Sequence, residues 1–330
     1  MSQIVGVFSC QQYDKETFQA VTSKSIQLRF FEAALNEQSV SLCDELDAVC
    51  VFVNDDLNAS VISALADKGV NHIAMRCAGY NNVDTQAAKS HNIAVSRVPA
   101  YSPHSVAEHA LTLMLTLNRR THRAYNRVRE GNFSLNGLMG FTLHGKTVGV
   151  VGTGHIGKAI TRILAGFGCN VQCYDPYPDE EIKAIARYVP LPQLVSNSDI
   201  ITLHCPLTDE TRHMIDAHTI KQMKDGVMLI NTSRGALIDT AAMIQGLKSR
   251  KIGYLGIDVY EQESSLFFAD RSMEIIDDDV FERLLTFPNV LITGHQGFFT
   301  REAMHEIATT TLKNLSDVAN DTLPEANRVV

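Results

Sequence analysis

Short apolar runs alternate with helical patterns along almost the whole chain, the signature of an α/β fold built on parallel sheets. In the first hundred residues the pattern predicts strands at Ile4–Phe8, Gln27–Phe31, Ala48–Val53, His72–Met75 and Ile93–Val95, with helices such as Ala59–Lys68 and Asp84–Ser90 between them. Pro99 and Pro103 interrupt the alternation. From Ser105 to Arg129 good helix formers run without Gly or Pro, which predicts one helix of about 25 residues and about 37 Å. Such a helix suits a domain bridge or a subunit interface, or else a core helix with a solvated tail. Further strands are expected at Val148–Val151, Asn170–Tyr174, Ile200–Leu203, Val227–Asn231, Leu255–Ile257 and Val290–Ile292, then a last helix at Arg301–Val318 and a loosely held polar tail after Asp321. The pattern predicts two Rossmann-like domains. A flavodoxin-like substrate domain takes residues 1–100 and 299–330, and an inserted nucleotide-binding domain takes 101–298, with a cleft between them for a small molecule.

The strand at Val148 runs into G-T-G-H-I-G, placing Gly152, Gly154 and Gly157 where a strand opens into a helix. Glycines there allow a tight turn and close backbone approach to a pyrophosphate, which the helix N-terminus attracts. Asp175 ends the next strand, 18 residues past Gly157. A carboxylate at that point accepts hydrogen bonds from a ribose and repels a 2′-phosphate, so the cofactor expected is NAD. Gly152, Gly157 and Lys158 also begin a G-x-x-x-x-G-K phosphate loop, but residue 159 is Ala where a magnesium-binding Ser or Thr is required.

Composition narrows the classes. The 330 residues are 45% hydrophobic and 20% charged, with a formal net charge of −8, which offers no basic footprint for nucleic acid or anionic lipid. The first ten residues, M-S-Q-I-V-G-V-F-S-C, lack a basic n-region and a long apolar stretch and are expected to form a strand rather than a signal peptide. No apolar run reaches spanning length. Seven cysteines without a C-x-x-C point to free thiols in a reducing cytoplasm, and Cys169, Cys173 and His204 lack the spacing of a metal site.

Three residues follow the ends of successive strands: Arg234 in N-T-S-R-G, Glu263 in D-V-Y-E-Q-E and His295 in T-G-H-Q-G-F. Ligands of open parallel sheets bind beyond the carboxyl ends of the strands. A guanidinium can grip a carboxylate at two points, an imidazolium can protonate a developing alkoxide, and a neighbouring carboxylate can orient that imidazole. Singly, each has a plainer use. Arg234 could cap a helix or pair with Asp258, Glu263 could be solvated, and His295 could serve a turn. Beside a dinucleotide site the set points to reduction of a 2-keto acid.

With R-C-A-G-Y-N-N-V-D at 76–84, V-P-A-Y-S-P-H-S-V-A-E-H at 98–109, G-T-G-H-I-G, N-T-S-R-G-A-L-I-D, G-I-D-V-Y-E-Q-E and G-H-Q-G-F-F-T, the chain resembles the D-2-hydroxyacid dehydrogenase family over essentially its whole length, in its lactate-forming branch. The resemblance implies NAD-linked, reversible reduction of pyruvate to D-lactate. It implies Arg234 as substrate-orienting residue, His295 as acid–base and Glu263 as its partner. It implies cofactor contacts from the glycine turn with His155 and Ile156, and from Asp175, Cys205, Pro206, Thr232 and Asp258. It places Ala78 and Gly79, through their N–H groups, and Tyr101 on the substrate side, with Phe52 and Phe299 closing over the substrate side chain. It also implies a homodimer or homotetramer joined through the nucleotide-binding domain. Ser264 stands where many members have Pro, and Thr211 where many have Asn. A preference for bulkier 2-keto acids stays open at this stage, as does a non-catalytic NAD-sensing regulator on the same fold.

Overall fold

Runs that are apolar on both faces become parallel strands covered on both sides. The computed structural model describes residues 2–263, 266–268 and 270–330, so Ser264 lies outside the described residues. The chain divides into two compact units, Met1–Ser102 with Phe299–Val330, and Pro103–Phe298. The junction falls two residues later than the pattern suggests, where Pro103 opens a helix.

The first unit holds strands β1 (Gln3–Val7), β2 (Ile26–Phe30), β3 (Ala48–Val51), β4 (His72–Met75) and β5 (Ala94–Ser96), with helices α1 (Gln12–Val21), α2 (Ala59–Asp67) and α3 (Thr85–Ser90). Its sheet runs β2-β1-β3-β4-β5, all parallel, the flavodoxin-like order. The second unit begins with α4 (Pro103–Arg119), α5 (Thr121–Arg129), β6 (Thr147–Val151), α6 (His155–Gly166), β7 (Asn170–Tyr174), α7 (Glu180–Lys183), β8 (Arg187–Tyr188) and α8 (Leu191–Asn197). It continues with β9 (Ile200–Leu203), α9 (Ala217–Gln222), β10 (Val227–Asn231), α10 (Thr240–Lys248), β11 (Ile252–Ile257), α11 (Asp279–Leu285) and β12 (Val290–Ile292). Its seven strands run β12-β11-β10-β9-β6-β7-β8, so the winding reverses between β6 and β9. α12 (Arg301–Ala319) returns to the first unit, where Ala308, Leu312 and Leu315 pack with Phe18, Val5 and Val7.

Each sheet has apolar clusters on both faces. In the first unit α1 and α12 cover one face, and Val61, Ile62 and Leu65 of α2 the other. In the second, Ala110, Leu113 and Met114 of α4 with Ile160 and Leu164 of α6 cover one face; Met243, Leu247 and Leu284 belong to the other. Helix starts follow the expected capping chemistry, with Asp84, Asp239 and Thr300 accepting from the backbone N–H groups of Ala87, Ala242 and Ala303.

Two expectations need correction, and one strand was not foreseen. The single helix at 105–129 breaks at Arg120, which adopts a left-handed conformation (φ 49°). The 136–141 segment folds onto the end of α4 there: Asn118 exchanges hydrogen bonds with Phe141 at 2.6 and 2.8 Å, and Arg120 donates to the Gly137 carbonyl. The tail after Asp321 is tied down. Val329 N donates to Val95 O at 2.8 Å and Arg97 N to Asn327 O at 2.8 Å, because β5 is an edge strand with backbone groups to satisfy. Strand β8 escapes the pattern because its two residues, Arg187 and Tyr188, form no apolar run.

His72 lies in β4 with no exposed surface, its Nε2 2.8 Å from Ser96 Oγ. Burial pushes its pKa down to about 4. As pH falls below about 6.5 the unfolded chain takes up a proton that the folded chain refuses, so this stability is complete above that pH and erodes toward 4. Urea unfolding at pH 5 against pH 7 should show a loss of about 2 kcal/mol from this group. The loss should shrink by that amount in His72→Gln.

Candidate functional site

Parallel register aligns the carboxyl ends of six strands in one row: Tyr174, Val151, Leu203, Asn231, Ile257 and Ile292 pair in turn across the sheet. The residues that follow them are Asp175, Gly152, His204, Thr232, Asp258 and Thr293. One sheet edge therefore carries the glycine turn at one end and the three strand-end loops of Arg234, Glu263 and His295 at the other.

The glycine turn has two kinds of constraint. Gly152 sits at φ +91°, and a Cβ there would lie 2.6 Å from Cys205 N; a Cβ on Gly157 would lie 1.9 Å from the Gly152 carbonyl oxygen. Those two glycines are demanded by the protein's own packing. Gly154, the N-cap of α6, is different: a Cβ there meets nothing within 4 Å. Its smallness leaves room for something approaching from outside, as a pyrophosphate would. His155 is exposed and Ile156 half-buried in the first turn of α6. Asp175 is half-buried and accepts from Thr153 N at 2.6 Å and Tyr177 N at 2.8 Å, one bond on each oxygen, so each keeps acceptor capacity for a ribose.

Further along the row, Thr232 Oγ1 is buried with no hydrogen-bond partner among the described residues, and a polar group of a dinucleotide could satisfy it. Cys205 is buried, its carbonyl accepting from Ser233 Oγ at 2.7 Å, and burial raises its thiol to about 11. Pro206 O accepts from Thr211 Oγ1 at 2.7 Å, so Thr211 braces that turn. The residues fit a dinucleotide.

Arg234 is the third residue of the loop after β10. Asn231 holds this loop, donating from Nδ2 to Arg234 O at 2.8 Å and accepting from Ser233 N at 3.0 Å. Gly235 lets it touch the loop after β11: a Cβ would lie 2.1 Å from the Tyr260 carbonyl carbon. The half-buried Arg234 guanidinium donates to Ser233 O at 2.7 Å and has no carboxylate partner among the described residues. Asp258, the partner sequence reasoning allowed for it, is engaged elsewhere.

His295 Nδ1 and Glu263 Oε1 are 2.8 Å apart, both side chains about one-quarter exposed. Glu263 Oε2 accepts from Tyr260 N at 2.9 Å. His295 itself is left-handed (φ 53°), its N–H donating to Asp258 O at 2.7 Å. Asp258, expected as a cofactor contact, is 1% exposed and turns its carboxylate inward. Oδ1 accepts from Thr293 Oγ1 at 2.5 Å and Gln296 N at 2.9 Å; Oδ2 accepts from Gly297 N at 2.7 Å. Burial pushes this carboxyl up, but the hydrogen bonds from His109 and Thr293 and the His109 charge outweigh it, leaving it below the ordinary carboxylate range.

The remaining expected residues belong to the first unit. Ala78 and Gly79 follow β4, partly exposed; Ala78 O accepts from Arg97 Nη1 at 3.3 Å, and Gly79 O from Cys77 Sγ at 3.2 Å. The Arg76 guanidinium lies 4.9 Å from the centre of the Phe52 ring. Phe299 is half-exposed and meets Tyr13 edge-on at 4.7 Å, and Tyr101 is half-buried. Sequence reasoning missed Asn231, Thr293 and His109. The signal for Asn231 was a polar residue closing an otherwise apolar strand, V-M-L-I-N.

A doubly wound sheet with a dinucleotide turn at its switch point, and on the same edge a paired imidazole and carboxylate and a guanidinium with no carboxylate partner among the described residues, defines a nicotinamide-dependent oxidoreductase. Residues 111–297 match the D-isomer specific 2-hydroxyacid dehydrogenase, NAD binding domain. The chain is 54% identical over 316 residues to a D-lactate dehydrogenase of Escherichia coli strain K12, covering 95% of this chain and 96% of that protein. It superimposes on the structure described as the pyruvate reductase of Chlamydomonas reinhardtii with a TM-score of 0.95 at 46% identity, covering 99% and 98% of the two chains. Against a D-lactate dehydrogenase from Aquifex aeolicus, complexed with NAD and lactic acid, the TM-score is 0.86 at 33% identity, with 99% of each chain covered. The chain belongs to the D-isomer specific 2-hydroxyacid dehydrogenase family.

Gly154→Val tests the turn, since φ −64° there suits any residue. The melting temperature should stay within about 2 °C of the parent, while NADH affinity measured by fluorescence titration falls at least about tenfold.

Proposed function

We propose that the protein reduces pyruvate to D-lactate, with Arg234, Glu263 and His295 as its catalytic residues. The observation that carries this is the half-buried Arg234 guanidinium, which lacks a carboxylate partner among the described residues on the sheet edge that also holds the His295–Glu263 pair. A half-buried guanidinium with free donors can grip a carboxylate at two points, and a 2-keto acid supplies one. The lactate chemistry named for its relatives agrees with this.

The residues divide the work. The Arg234 fork holds the substrate carboxylate and polarises the adjoining ketone. Glu263 takes the hydrogen bond from Nδ1 of His295, which fixes the ring and leaves Nε2 to carry the proton given to the substrate oxygen. NADH, when bound, supplies the hydride to the ketone carbon. In the reverse direction neutral His295 accepts the hydroxyl proton at Nε2. Gly152, Gly154, Gly157, His155, Ile156, Asp175, Cys205, Pro206 and Thr232 hold the cofactor in this reading. Asp175 sets the preference for NADH over NADPH. Ala78, Gly79, Tyr101, Phe52 and Phe299 serve the substrate, the aromatic rings limiting its side chain. Among the described residues no helix is long and apolar enough to cross a membrane. The setting we propose is cytoplasmic, on the seven cysteines without a C-x-x-C.

Steady-state turnover with pyruvate, phenylpyruvate and branched-chain 2-keto acids, each with NADH and NADPH, tests this reading. Pyruvate with NADH should give the highest kcat/KM and a D product, and His295→Ala should cut kcat by roughly 10³-fold or more while NADH binding persists. A higher kcat/KM for the bulkier acids would move the substrate assignment. Absence of NADH consumption with any of them would end it.

We also propose a homo-oligomer joined through the second unit. Phe133, Leu135 and Met139 are 72%, 81% and 88% exposed, next to exposed Tyr125 and Val128 on α5, an apolar surface that a second copy would cover. Light scattering should give a multiple of the 36.4 kDa chain mass, and charged substitutions at Leu135 and Met139 should reduce it to the single mass.

A further inference from the structure

We propose that His109 is a positioning residue for His295, acting by donating its Nε2 proton to the Asp258–Thr293 pair that holds the His295 loop. The proposal rests on the reading of His295 as the acid–base. His109 lies on α4, whose Ala110, Leu113 and Met114 pack with Met228 and Ile230 of β10 in one apolar cluster, so its backbone is anchored on a core helix. Its side chain is 14% exposed. Nε2 lies 3.0 Å from Thr293 Oγ1 and 3.2 Å from Asp258 Oδ1.

The protons in this cluster can be assigned by elimination. An ionised carboxylate only accepts, so the 2.5 Å contact between Thr293 Oγ1 and Asp258 Oδ1 uses the single hydroxyl proton of Thr293. The Thr293 oxygen is then left as an acceptor, and Asp258 Oδ1 is one as well. The proton between them and His109 must therefore sit on Nε2 of His109.

This cluster reaches the reacting group through the chain on both sides of it. Thr293, Gln296 and Gly297 are tied to the one Asp258 carboxylate, and His295 N to the Asp258 carbonyl. His295 is left-handed, a conformation that strains a non-glycine residue and persists only where its surroundings over-determine it. The His109 ring also borders Gly297: a Cβ on that glycine would lie 3.4 Å from His109 Cδ2. Removing the Nε2 donor leaves the buried Asp258 carboxylate and the Thr293 oxygen each short of one hydrogen bond and loosens the loop they hold. The imidazole of His295 then loses its fixed approach to Glu263.

The test compares His109→Leu, His109→Gln and Thr293→Val in the full chain. Gln places an N–H donor where Nε2 stood, while Leu fills the space without one. Three quantities are read: kcat and KM for pyruvate with NADH, the NADH dissociation constant, and the downfield NMR resonance of the His295 Nδ1 proton, identified by its loss in His295→Gln. His109→Leu and Thr293→Val should lower kcat at least about tenfold, with KM and NADH affinity within about threefold, and should broaden or abolish the resonance. His109→Gln should restore both kcat and resonance. A His109→Leu protein that keeps the resonance and a kcat within about threefold of the parent overturns the proposal, as does a His109→Gln protein as impaired as His109→Leu. If His109→Leu does not fold, Thr293→Val and His109→Gln decide by the same criteria. Should the parent chain fail to turn over pyruvate while the resonance follows the expected pattern, the functional reading falls and the positioning role of His109 stands.

Discussion

One hydrogen bond of 2.8 Å, between His295 Nδ1 and Glu263 Oε1, joins the loops that follow β11 and β12, and most of the order around the sheet edge serves to place its two ends. An imidazole presented by a loop is useful only if its unbonded nitrogen points in one direction. The carboxylate of Glu263 sets the tautomer and the plane of the ring, and its own second oxygen is fixed by Tyr260 N. That constraint would be loose without the sheet, because the two residues are 32 positions apart in the chain.

Parallel winding solves the distance problem. Each strand ends on the same edge, so residues from Asp175 to His295 gather there without any long-range sequence signal. The apolar clusters on both faces keep the strands in register, and register converts chain order into a row of neighbouring loops. Fine positioning then comes from small polar devices just past the row: Asn231 for the Arg234 loop, and Asp258 with Thr293 for the His295 loop. The glycine turn obeys a similar division. Gly152 and Gly157 are required by the fold, and Gly154 leaves the open space.

Much of this was legible in the residues because parallel strands buried on both faces announce themselves as unbroken apolar runs. V-M-L-I-N and I-I-T-L could be located within a residue, and with them the loops that carry Arg234 and Cys205. What escaped depends on contacts that no local pattern encodes. The break at Arg120 is imposed by a segment twenty residues further on, and the tail pairs with β5 only because the folding of the first unit leaves that edge open. The resemblance implies Asp258 as a cofactor contact, and no local pattern shows that its carboxylate also accepts from Thr293, Gln296 and Gly297. The pairing of His295 with Glu263 was legible; the support beneath it, including His109 on a helix nearly two hundred residues away, was not.

The most direct measurement is a crystal structure of the protein with NADH and oxamate, a non-reacting analogue of pyruvate. The account predicts two parallel hydrogen bonds from the Arg234 guanidinium to the oxamate carboxylate and His295 Nε2 within hydrogen-bonding distance of its carbonyl oxygen, with Nδ1 still on Glu263. An oxamate held without Arg234, or a His295 ring turned away from Glu263 in that complex, would contradict it.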